Sequence, residues 1–248
     1  MYILGISALY HDSAAVLVED GRVICAAEEE RFSRLKHDNR FPEDAIRFCL
    51  AQAHITATDL AAVAYYEKPL LKFERVLDNF VATYPLSFAS FVIGIPEWLG
   101  LKMRVETLIR KKIGFQGKLF FTPHHVSHAS SVFYPSPFEE AAIVTIDGVG
   151  EYETTGLWHG RALEIAPLAH INFPHSLGLF YSTITAYLGF RVNDDEYKIM
   201  GLAAYGAPSF KHELYRTLSV KEDGGFKLNL KYFSFPYRSR MWSRHFES

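Results

Sequence analysis

Cysteine is nearly absent: the 248-residue chain has two, Cys25 and Cys49. Two thiols cannot build the multi-bridge framework on which small secreted domains depend, so a disulfide-stapled scaffold is excluded. Charge of one sign is not in excess either. Lys and Arg number 26 against 28 Asp and Glu, a net charge of −2, with a pI near 6.6. That balance leaves no electrostatic footprint for nucleic acid. No leader of the secretory kind opens the chain, and a reduced, cytoplasmic setting is expected. Long apolar runs are scarce. "NFVATYPLSFASFVIGIP", residues 79 to 96, is uncharged for 18 positions, close to the length that spans a bilayer. Pro85 interrupts it, and Asn79, Thr83, Ser87 and Ser90 dilute it. A buried helix pair or an interaction surface is expected there, and no membrane association. The next stretch, "LKMRVETLIRKKIG", has the pattern of an amphipathic helix with a solvated face.

What is present is enough apolar residue, 49% of the chain, for a real core in one large or two small domains. "YILGIS" reads as a strand and "ALYHDS" as a polar loop. In "AAVLVEDGRVICAAEEE", Asp20-Gly21 between two β-rich runs marks a tight hairpin. "FPEDAIRFCLAQAH" reads as a helix with Pro42 in its first turn, and "LAAVAYYE" as a strand. The second half starts alike. "AAIVTI" is an apolar strand, "DGVGEYE" a polar loop, and "TTGLWHGRALEIAPL" a hairpin expected to turn at Gly160-Arg161. The apolar strands end at Ile6 and Ile146, and the Gly-Arg pairs follow 15 and 14 residues later. A strand–loop–hairpin unit repeated in this way points to internal duplication.

Two lobes of that kind resemble the actin-like and sugar-kinase-like (RNase H-like) ATPase fold. That fold is α/β, with duplicated lobes on mixed sheets whose first loops face a shared cleft. The expected division is residues 1–138 for the first lobe and 139–248 for the start of the second. The second lobe has little room to finish, so the chain is expected to be a fragment of a longer protein.

Six motifs then occur in order: "HDSAAVLVEDG", "AEEERFSRLKH", "HHVSHASSVF", "TIDGVGE", "SLGLFYSTITAYLGF" and "DDEYKIMGLAAYG". Together they resemble the N-terminal part of the O-carbamoyltransferases of nodulation and antibiotic biosynthesis, relatives of the proteins that make threonylcarbamoyl-adenosine on tRNA. The resemblance implies a reaction. Carbamoyl phosphate and ATP give carbamoyl-adenylate in a C-terminal domain. The carbamoyl group then passes to a hydroxyl of a sugar-like or natural-product acceptor, with Fe(II) holding the adenylate phosphate. A homodimer is allowed for.

The resemblance also assigns residues. His124 and His128 match its iron-binding pair. The local pattern agrees, since residues four apart share a helix face and imidazole suits iron; two histidines so spaced can equally be structural. Asp147 matches a further metal ligand, and with Gly148 lies where a strand's end meets the phosphate, although Asp-Gly is also a common turn. The fourth protein ligand of the family, an aspartate, would lie beyond residue 248. His11 matches the base that takes the proton of the acceptor hydroxyl, a task suited to imidazole; otherwise it is a surface-loop histidine. Lys36 matches a lysine near adenylate and acceptor, within a highly charged stretch. Asp12 is not expected to orient His11, because neighbours in a strand point to opposite faces. His125 is expected in packing, Glu28, Glu29 and Glu30 in solvent, and Lys198 at the start of a helix packed under the cleft. Two other readings stand beside carbamoyl transfer. One is a non-catalytic actin-like nucleotide-binding module. The other is a metal-dependent hydrolase using His124, His128 and Asp147 as a facial triad.

Overall fold

The first hairpin follows from its turn residues. Asp20 and Gly21 both take positive φ, 46° and 82°, the conformation a two-residue turn needs to match strand twist. Glu19 and Arg22 close it. The computed structural model describes residues 1–100 and 102–247. In chain order it holds β1 (Tyr2–Ser7), β2 (Ala14–Glu19), β3 (Arg22–Glu28), α1 (Glu30–Ser33), α2 (Glu43–Gln52) and β4 (Leu60–Tyr65). Then come α3 (Pro69–Ala82), α4 (Phe88–Gly100), α5 (Val105–Ile113), β5 (Lys118–Phe121) and α6 (His124–Phe133). The remainder is β6 (Glu140–Ile146), β7 (Glu153–Arg161), β8 (Glu164–Asn172), α7 (Leu177–Tyr187), α8 (Glu196–Ala203), α9 (Lys211–Tyr215), β9 (Leu218–Val220) and β10 (Phe226–Leu228).

The described chain groups into two compact units, residues 1–70 with 96–124, and residues 71–95 with 125–248. The first is built on a mixed five-stranded sheet in the order β3-β2-β1-β4-β5. β1, β2 and β3 form an antiparallel meander, while β4 runs parallel to β1 and β5 parallel to β4. Strand alternation puts Leu4, Ile6, Ala15 and Leu17 on one buried face. Ala45, Ile46 and Cys49 of α2 and Val105 and Ile109 of α5 join that core. α5 is thus the amphipathic helix expected of that stretch; Leu101, where the stretch begins, lies outside the described residues.

The second unit carries the antiparallel sheet β6-β7-β8, a second meander that opens as the first does. Its turn falls at Ala162-Leu163, closed by Arg161 and Glu164, not at Gly160-Arg161. Pairing with β6 carries β7 on to Arg161, and Gly160 stays in the strand, where a Cβ would meet the Phe133 ring at 2.8 Å. Ala129 and Phe133 of α6 pack with Ile143 and Trp158 in this unit's core. The first sheet lies within residues 2–121 and the second opens at Glu140; packing groups α6 from His125 onward with the second unit.

Residues 79–96 contribute to two helices, the end of α3 and the start of α4, with Pro85 between them. The pair is not buried: Val81 is 79% and Ile93 78% exposed. No described helix is long and apolar enough to cross a membrane. α8 also differs from expectation. Among the described residues only Ile199 of it is buried, Lys198 is exposed and paired with Asp195 at 2.5 Å, and the helix lies at the surface, tied to α7 through Ser182 and Glu196.

Candidate metal centre and first-loop histidine

Two periodicities meet at one point. On α6, His125, Ala129 and Phe133 form the i, i+4 stripe that faces the second sheet, and His124 and His128 form the neighbouring stripe. On β6, Ile143 and Thr145 are buried, and Asp147 follows with the same parity just beyond the strand. Its side chain therefore leaves on the α6 side. One ligand-type atom each from His124, His128 and Asp147 lies within 4.8 Å of the others. His128 Nε2 is 3.5 Å from Asp147 Oδ2, while Asp147 Oδ1 accepts the main-chain N–H of Gly148 at 2.7 Å. The carboxylate is thereby turned with one oxygen toward the histidine. Two imidazoles and a carboxylate are a donor set suited to a first-row divalent ion such as Fe(II).

His125 holds the helix that carries the pair. Its Nε2 lies 3.0 Å from the Glu153 carbonyl oxygen, and its Nδ1 2.7 Å from Thr145 Oγ1. A carbonyl can only accept, so Nε2 carries the proton and Nδ1 accepts from the threonine hydroxyl. Trp158 Nε1 donates to that same hydroxyl at 3.0 Å. The result is a buried chain, Trp158 to Thr145 to His125 to Glu153, that locks α6 to β6 and β7.

The Asp147 loop is held from the other side by the start of α7. Ser176 caps that helix by accepting the Leu179 N–H at 3.0 Å. Its hydroxyl lies 3.0 Å from the carbonyl of Asp147 and 2.7 Å from that of Gly148. Gly178 is the glycine this contact demands, since a Cβ there would lie 2.5 Å from the main chain of Asp147 and Gly148. At Gly148 itself a Cβ would meet only Leu179, at an ordinary 3.7 Å.

In the first unit, His11 lies in the loop after β1, and the loop of residues 34–39 is laced to it. Leu9 N–H donates to Asn39 O at 3.0 Å, Ser13 N–H to Asp38 O at 2.8 Å, and Glu29 N–H to Ser13 O at 2.8 Å. Asp38, buried, is gripped by the Arg40 guanidinium at 2.6 Å, which holds its carboxyl well below the usual carboxylate range. Lys36 is exposed in this loop, next to His37. The expectation for Asp12 is overturned. β1 ends at Ser7, and Asp12 takes a left-handed turn, φ 49°, so strand alternation no longer applies. Its Oδ2 is 2.8 Å from His11 Nδ1 and its Oδ1 2.8 Å from His37 Nδ1. Burial pushes the Asp12 carboxyl up, but the hydrogen bonds from His37 and His11 outweigh it, and the net shift is downward. Glu29 is a second correction. It is 5% exposed and accepts the N–H groups of Asp44 and Ala45 at 3.3 and 2.9 Å, capping α2 from a distance. Sequence reasoning set Asp12 and Glu29 aside and gave His37 no role. Only a nearby histidine or helix start in the primary structure hinted at any of them.

A sequence model described as "Carbamoyltransferase N-terminus" matches residues 2–247. The chain belongs to this carbamoyltransferase N-terminal family. It is similar to the uncharacterized protein sll1178 of Synechocystis sp., at 45% identity over 99% of this chain and 41% of that protein. It is also similar to the nodulation protein NolNO of Sinorhizobium fredii, at 37% identity over 89% of this chain and 32% of that protein. The chain thus spans well under half the length of these relatives. Among solved structures, it is similar to component A of the (R)-2-hydroxyglutaryl-CoA dehydratase of Acidaminococcus fermentans. That match has a TM-score of 0.41 at 13% identity, over 78% of this chain and 56% of that one.

Proposed function

We propose that this chain is the acceptor-activating part of an ATP-dependent O-carbamoyltransferase, with His11 as general base and His124, His128 and Asp147 as ligands of an Fe(II) ion. The observation that carries the reading is the convergence of the three donors within 4.8 Å, in a chain whose family is carbamoyltransferase. The transfer step balances simply. His11 Nε2 takes the proton of the acceptor hydroxyl as that oxygen attacks the carbamoyl carbon of carbamoyl-adenylate. The bond from that carbon to the phosphate oxygen breaks, and AMP leaves with the electron pair. The products are the O-carbamoylated acceptor, AMP and a protonated His11. When bound, the ion would neutralise phosphate charge on the leaving group. Lys36 would supply a positive charge to the leaving phosphate, and the Gly148 turn orients Asp147. Carbamoyl phosphate and ATP supply the adenylate through a further domain, the acceptor is a sugar-like or natural-product hydroxyl, and the setting is cytoplasmic.

The test combines metal and transfer. Anaerobic titration of the chain with Fe(II), or with Co(II) as a coloured probe, should give one site, weakened at least tenfold by His128→Ala or Asp147→Asn. With synthetic carbamoyl-adenylate and a panel of aminoglycoside and sugar acceptors, transfer by this chain alone should be slow and lost in His11→Ala. A metal affinity indifferent to both substitutions would overturn the ligand assignment. Nucleotide binding with no transfer under any condition would favour the non-catalytic module, and metal-dependent hydrolysis without transfer the hydrolase.

A further inference from the structure

Two histidines, His11 in the first loop and His37 in the loop of residues 34–39, are tied to the same carboxylate. We infer that Asp12 is the positioning residue of His11, and that His37 completes a hydrogen-bonded chain, His11–Asp12–His37, which fixes His11 in the tautomer with its proton on Nδ1 and its lone pair on Nε2. This deepens the reading of His11 as base and rests on it for what Nε2 does; the chain of hydrogen bonds stands on its own geometry.

A carboxylate without its proton can only accept hydrogen bonds. A ring nitrogen 2.8 Å from Asp12 Oδ2 must then be the donor, which puts the His11 proton on Nδ1. The neutral ring has one N–H, so Nε2 is left as the acceptor that a general base needs. The other oxygen, Oδ1, faces His37 Nδ1 at 2.8 Å and takes a second N–H by the same rule. With both oxygens engaged, the carboxylate cannot turn without losing a bond, so His37 restrains Asp12 as Asp12 restrains His11. The backbone points the same way. Asp12 and His37 both sit at positive φ, 49° and 56°, a conformation that disfavours a non-glycine residue and persists only where the surroundings enforce it. Here the enforcement is visible. Main-chain bonds join the two loops at Leu9–Asn39 and Ser13–Asp38, and the His37 N–H donates to Glu30 Oε2 at 3.0 Å. The Tyr10 ring lies 4.4 Å from that of His11.

Asp12, Glu30 and His37 also offer three ligand-type atoms within 4.8 Å of one another. Both Asp12 oxygens are within hydrogen-bonding distance of an imidazole and Glu30 accepts a main-chain N–H, so the arrangement is accounted for by hydrogen bonds. Metal binding there is an outcome the test can return against the inference.

The test is nitrogen-15 NMR of the histidine rings in this chain near pH 8, with His11→Ala and His37→Gln to assign signals. The wild-type His11 ring should show a protonated Nδ1 and an unprotonated Nε2. In Asp12→Asn the amide can donate to Nδ1, and the His11 proton should move to Nε2. In His37→Gln the His11 signals should shift toward a tautomer mixture. Transfer by Asp12→Asn should fall about a thousandfold or more in kcat with little change in KM, the loss expected when a base is held in the wrong tautomer. A wild-type His11 with its proton on Nε2, or an Asp12→Asn spectrum unchanged at His11, would overturn the inference; the wild-type measurement needs no variant to fold. So would Co(II) broadening the His37 signals before those of His124 and His128. If the tautomer switches as expected and transfer is unaffected, the hydrogen-bonded chain stands and the reading of His11 as base fails.

Discussion

Replacing Gly178 by alanine tests how the Asp147 loop is held. The added Cβ would lie 2.5 Å from the carbonyl carbon and oxygen of Asp147 and the nitrogen of Gly148, against 3.4 Å for ordinary contact. The conflict, about 0.9 Å, is with main chain, so no flexible side chain can absorb it. β6 is poorly placed to yield: it pairs with β7 through Ile146–Thr155, and Asp147 N–H donates to Thr154 O at 2.9 Å. The first turn of α7 should move instead, taking Ser176 off the carbonyls it bridges. Overpacking of this kind costs about 1–3 kcal/mol, and a disturbed N-cap about 1 kcal/mol more. For a chain of this size each kcal/mol lowers Tm by about 2–4 °C, so a fall of about 5–15 °C is expected. A ligand position tolerates only about 0.2 Å of error, so Co(II) affinity should drop at least tenfold if part of the movement reaches Asp147. Differential scanning calorimetry and metal titration measure both. A variant that melts within about 1 °C of wild type and binds Co(II) as tightly would refute the contact. A lowered Tm with unchanged affinity would show that α7 gives way alone.

Three further outcomes follow from buried polar groups. His125→Ala removes a partner of both Thr145 and the Glu153 carbonyl and opens a cavity, and urea denaturation should show a loss of about 2–4 kcal/mol. His125→Phe should recover the packing but not the hydrogen bonds. Glu29→Ala should cost about 1–2 kcal/mol by leaving two N–H groups at the start of α2 without their acceptor, with Glu29→Gln between it and wild type. Arg40→Ala should destabilise in a pH-dependent way. Because Arg40 depresses the Asp38 carboxyl in the fold, its contribution is present above the ordinary carboxylate value near 4 and is lost as pH falls below it. The stability gap between wild type and variant should therefore be constant from about pH 7 to 5 and shrink toward acid; a gap that widened on acidification would refute the pairing.

How far the sequence could be read depended on whether a residue sat inside a regular element. The meander at Asp20-Gly21 was legible because turn chemistry and period-two alternation agree there. The second hairpin was misplaced by two residues. Gly160-Arg161 resembled a turn, but the glycine serves the Phe133 ring, and nothing local distinguishes a packing glycine from a turning one. Residues 79–96 were apolar enough to suggest burial, yet their helices face solvent in large part. Composition reports how much apolar surface a segment has, and says little about which neighbour covers it.

The two candidate centres make the same distinction sharper. Asp147, His124 and His128 were singled out by the resemblance of their motifs; the fold brings them together because parity along β6 carries Asp147 to the α6 side while i, i+4 spacing keeps His124 and His128 on one face, and each rule is periodic and holds as long as its element lasts. Asp12 could not be anticipated, because the rule applied to it, alternation along a strand, had stopped five residues earlier at Ser7. What replaced it was a left-handed turn and a second loop laced across by main-chain bonds, neither of which leaves a repeating mark in the sequence. Contacts that depend on such loops become visible only once the chain is folded: the resemblance of the first motif singled out His11, but nothing in the sequence showed that Asp12 and His37 would be hydrogen-bonded in one chain with it.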